Sequence, residues 1–106
     1  MDFPAQRERI FAEYERGAST STDVQIRFVA LMIETSNDAV ALSLCESLPD
    51  WFRDQFRTYL QNNASTGYAH RWFSMGDPRT KEQVESDARR HGDFLERLAP
   101  DILANI

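Results

Sequence analysis

Two histidines, one cysteine and several carboxylates at helical spacing are the side chains through which this chain could do chemistry. An imidazole can hold a metal or carry a proton, and Asp87 stands one helical turn before His91, so the two would share a face. A zinc site uses three or four ligands, and neither His91 nor His70 has further ligands at matching spacing. His91 falls in step with Val84, Leu95 and Leu98, where a packed ring is expected. The pairs Glu82 with Glu85 and Asp50 with Asp54 would each face one side of a helix. General acid–base work needs such groups enclosed, whereas Arg53 and Arg57 alternate with Asp50 and Asp54 in the pattern of a solvated face. Cys45 has Leu44 and Leu48 as neighbours and no nearby base to lower its pKa, which suits a core thiol. Glycine-rich phosphate loops and nucleophile motifs are absent. Neither a metal nor a cofactor is expected, and the chain does not read as an enzyme.

Recognition is the better use of the remaining residues. The stretch Tyr68, Ala69, His70, Arg71, Trp72, Phe73 gathers side chains that dominate protein interfaces, because they combine large contact area with a polar handle. Tyr68, His70, Arg71, Trp72 and Phe73 are therefore the candidate partner-binding residues, although Trp72 and Phe73 could equally fold back as a lid on the core. Arg71, Trp72, Arg79, Lys81, Arg89 and Arg90 together would suit a nucleic acid, by stacking and phosphate contact. Glu82, Glu85, Asp87 and Asp93 interleave with those bases and oppose that use.

The elements that must position these residues are helices. Between Val24 and Leu60 the apolar residues recur at three- and four-residue steps, with no alternating segment and no glycine. A first helix is expected over 4–16, carrying Ile10, Phe11 and Tyr14 up to Gly17. Thr22 with Gln25 matches a capping box and predicts a second helix over 22–35. Seven of the eight residues from Ile26 to Ile33 are apolar, Arg27 being the exception, so this helix belongs at the centre. Ser36, Asn37 and Asp38 cap a short third helix expected to bury Val40, Leu44 and Leu48. Pro49 suits the first position of a fourth helix, which runs to about Gln61 and buries Phe52, Phe56, Tyr59 and Leu60. After a polar break at 62–67, the aromatic stretch is expected to form a turn or two of helix. Thr80 with Gln83 then caps a fifth helix bearing Val84, Ala88, His91, Leu95 and Leu98, which Pro100 is expected to end. Its narrow seam could also pair with a second copy.

The expected fold is all-α, a single domain over 1–106 of about five helices around the central one. One core suffices for 106 residues, and 42% hydrophobic with 27% charged residues lies in the globular range. A single cysteine excludes an intrachain disulfide, no leader pattern is seen, and no apolar run could cross a membrane, so a cytoplasmic setting is expected. The net charge of −5 lies wholly in residues 1–50, where four arginines face nine Asp or Glu. That balance weighs against nucleic acid, whose affinity comes mainly from Lys and Arg. The functional expectation is a non-enzymatic protein-binding module: an acidic adaptor, regulator or inhibitor, whose charge would suit a basic partner. The alternatives are a nucleic-acid-associated regulator, or an enzyme whose site is assembled from His70, His91 and an acid.

Overall fold

Asp2 opens the first helix by accepting the Ala5 N–H at 3.1 Å, with Pro4 in the first turn, where its missing N–H costs nothing. The computed structural model describes residues 2–62 and 78–106. Among these residues it has five helices and no strand: α1 (Phe3–Glu15), α2 (Ser21–Glu34), α3 (Asp38–Ser43), α4 (Asp50–Gln61) and α5 (Lys81–Asn105). None of them is long and apolar enough to cross a membrane. Gly17 ends α1 at φ 80°, a left-handed turn that glycine adopts without a Cβ penalty, and the Ala18 N–H reaches back to the Glu13 carbonyl at 2.8 Å.

Helix α2 begins one residue earlier than predicted, and its cap residue lies two residues earlier. Thr20, not Thr22, accepts the Asp23 N–H, at 3.1 Å. Gln25 is instead buried, its amide 3.3 Å from both Ser21 Oγ and Gln55 Oε1, so tertiary contact with α4 takes the side chain that a local cap would have used. Asn37 caps α3 through the Val40 N–H at 3.1 Å. This helix lasts only six residues; Ala41 within it and Leu44 and Cys45 just beyond its end turn inward, while Val40 is left 38% exposed, against expectation. Arg7 of α1 fastens the far end of α3 by donating from Nη1 to the carbonyls of Leu44 and Glu46, both at 2.9 Å. Pro49 sits one position before α4 as its cap residue and not at the first helical position.

Helix α5 starts with the expected capping box between Thr80 and Gln83. It does not stop at Pro100. The helix continues to Asn105 with the proline inside, because the turn beyond carries Ile102, which is fully buried. Burying that side chain contributes roughly 2 kcal/mol, enough to offset much of the proline's cost.

Helix α2 packs on all four other helices and forms the centre, as its composition predicts. Phe28 of α2 meets Phe11 of α1 at 5.8 Å between ring centroids, and Phe52 and Phe56 of α4 at 4.9 and 5.1 Å. Each such pair adds about 1 kcal/mol beyond the area it buries. Leu48, Phe52 and Phe56 are buried as expected, while Tyr59 and Leu60 are half-buried at the margin. The Val84, Leu95, Leu98 seam of α5 is likewise buried within the chain, so it is not available to a second copy. Cys45 lies in the core, where burial pushes its thiol pKa up to about 12.

Candidate functional site

The central helix is not covered on every side. Val24, Phe28, Val29, Leu31 and Met32 point into the core, whereas Arg27, Ala30, Ile33 and Glu34 form a strip along the opposite side of α2. Steps of three, three and one residue keep that strip on one face of a helix. Ala30 and Glu34 are exposed, Arg27 and Ile33 half-buried.

Concavities open on both sides of the strip. Towards α1 lies one of about 260 Å³, walled by Gln6, Arg9 and Ile10. Towards α5 lies one of about 240 Å³, walled by Asp87, Arg90 and His91. Both take Ala30 and Glu34 as their shared edge. A third, of about 340 Å³, continues from Ile33 and Arg90 past Ser36 and Asp38 to Phe94 and Arg97. The result is a shallow palm with α2 as its floor and α1 and α5 as its sides. Ala30, the smallest side chain on the floor, lets another backbone approach closely.

The charges around this face are unequally matched. Arg27 pairs with Glu13, whose carboxyl is held below the ordinary carboxylate range first by the hydrogen bond from that guanidinium. Asp87 pairs with Arg79 and, at 3.9 Å, with Arg90. Asp38 pairs with Arg97, which also lies 5.7 Å from the Phe94 ring centre. Among the described residues, Arg9 and Glu34 form no ion pair and no side-chain hydrogen bond, although they line the same concavity.

His91 closes the α5 side. It is 1% exposed, and its Nε2 shares a hydrogen bond with Tyr59 Oη across 2.9 Å. Burial lowers its pKa to about 4, so the ring is neutral near pH 7 and a poor proton acceptor. Asp87 does share a face with His91, as the four-residue spacing predicts, but its carboxylate is engaged by two arginines. The described residues contain no group of three or more His, Cys, Asp or Glu positioned to hold a metal ion. Asp50 and Asp54 make the expected surface pairs, with Arg53 at 3.0 Å and Arg57 at 3.5 Å respectively.

The partner-binding candidates Tyr68, His70, Arg71, Trp72 and Phe73 lie outside the described residues. Of the basic set, Arg79 and Arg90 turn onto Asp87, while Lys81 and Arg89 are exposed. Sequence reasoning passed over the α2 strip, since Ala30 and Ile33 counted towards a helix apolar all round. The available signal was the placing of Arg27, Ala30 and Glu34 at three- and four-residue steps, which sets two charges and a small residue on one line.

No family model, curated protein or solved structure matches the chain.

Proposed function

We propose that the protein is a non-enzymatic protein-binding module whose docking surface is the palm formed by α1, α2 and α5. One observation carries the reading. The most apolar of the described helices, packed on the other four, leaves the strip Arg27, Ala30, Ile33, Glu34 uncovered between two concavities. The strip runs for roughly 10 Å along the α2 axis, the length of about two helical turns. That suits the helix-in-groove mode of recognition, in which apolar anchors at helical spacing enter a channel with charged sides. The free, buried Cys45 is compatible with a reducing, cytoplasmic setting.

A photo-crosslinking amino acid placed at Ala30 tests the reading, with the exposed position Glu46 as control. The expected result is a protein adduct from an extract of the native host at position 30 and not at 46, with the captured protein losing roughly tenfold or more in affinity for Ala30→Arg. Identical adducts at both positions, or none at 30, would remove the proposed surface.

A further inference from the structure

Resting on that docking face, the charge pattern identifies the chemistry of its occupant. We propose that the segment seated there is an amphipathic helix of a partner protein, with an aliphatic side chain packed on Ala30, a Lys or Arg facing Glu34 and an Asp or Glu facing Arg9.

Two charges on this face lie outside any ion pair among the described residues, Arg9 and Glu34, and Arg9 acts on Glu13 only at longer range. Among the described residues, every other charged side chain lining the α1 and α5 concavities is in an ion pair: Arg27 with Glu13, Asp87 with Arg79 and Arg90. Arg9 and Glu34 line one concavity, with opposite charges, and lie beyond ion-pair distance of each other. Glu34 is also the last residue of α2, where the unpaired carbonyl ends already make the field negative, and no basic residue stands in that last turn. A carboxylate there is unfavourable in the free protein and is relieved by a cation from outside. The apolar part of the concavity that both charges line is Ala30, with Ile10 and Leu31 buried beneath, beside Gln6 and the paired Arg27.

This arrangement discriminates among occupants. A phosphate backbone would satisfy Arg9 and Arg90 but set its charge against Glu34. A uniformly basic segment would satisfy Glu34 and be repelled by Arg9. Only a segment carrying both signs, with an apolar residue between them, matches all three features. A helix presents three such side chains on one face at three- and four-residue steps.

The test is selection from a phage-displayed library of helical peptides with a fixed leucine anchor and Ala, Lys or Glu at the flanking face positions. Full-length protein is the target, in wild-type form and as the Arg9→Glu, Glu34→Arg double variant, whose folding is checked by circular dichroism. Peptides enriched on the wild type should carry one Lys and one Glu on either side of the leucine. They should lose roughly tenfold in affinity for Glu34→Gln. The double variant should enrich peptides with the two charges exchanged. Enriched peptides without charge preference, binding both proteins alike yet blocked by Ala30→Arg, would overturn this inference and leave the docking face standing. Failure to enrich any peptide sensitive to Ala30→Arg would overturn both.

Discussion

Replacing His91 by Gln should flatten the acid side of the stability profile. The buried ring has a pKa of about 4 in the folded protein against an ordinary 6.5, and the cause is burial. Between those two values the unfolded chain takes up a proton at this position and the folded chain does not. Stability held by the neutral ring is therefore complete above pH 6.5 and falls as the pH drops towards 4, by about 1.4 kcal/mol per pH unit. Across the whole interval the loss amounts to about 3 kcal/mol, a large part of the stability of a small domain. Among the described residues, the groups around the ring are Tyr59 from α4, Glu34 from α2, and Asp87 and Arg90 on its own helix. The two proteins differ only at this side chain, so the difference between their profiles reports the ring. Urea unfolding followed by circular dichroism, at several pH values between about 7 and about 4.5, should show His91→Gln less stable near neutrality. The gap should then close by about 2.5 kcal/mol at the acid end. Parallel profiles would refute the claim that the ring is held neutral in the folded state.

Two further substitutions probe how the helices are held. Pro100→Ala should raise stability by about 2 kcal/mol in thermal or urea melts, since it restores the N–H that the interior of α5 lacks while Ile102 stays buried; an unchanged midpoint would mean that the helix already breaks there. Arg7→Met should lower stability by about 1–2 kcal/mol, because it keeps the apolar stem but leaves the Leu44 and Glu46 carbonyls without their donor. A loss below a few tenths of that size would mean that water replaces the guanidinium there.

The architecture was legible because its strongest signals are local and agree. The Thr80 and Gln83 capping box, the Asn37 cap and the apolar run of α2 each follow from neighbouring residues, and each appears where predicted. The misses share one cause, which is that distant contacts decided them. Thr20 rather than Thr22 caps α2 while Gln25 reaches Gln55, thirty residues away. Helix α5 passes through Pro100 because Ile102 has a place in the core. Val40 stays out because the inward face is centred on Ala41, with Leu44 and Cys45 to either side, and Val40 stands about 100° round the helix from it. The docking face was illegible for a related reason. Periodicity shows that a helix is apolar, but which side its neighbours leave open is settled only when α1 and α5 take their places. The unmatched charges of Arg9 and Glu34 likewise become visible only when the distances between α1 and α2 exist.

The burial of Cys45 gives the molecule a built-in clock. It is the sole cysteine, so a thiol reagent has one target, and that target lies in the main core beside Ala41 and Leu44 with its thiol fully protonated near neutrality. Labelling must wait for the core to open. The rate at which the thiol is modified therefore reports opening of the folded state without denaturant, as an opening rate when the reagent outpaces reclosing and as an opening equilibrium when it does not. A bound partner that clamps α1, α2 and α5 together would slow that count, which turns a residue with no chemistry of its own into a reporter of occupancy.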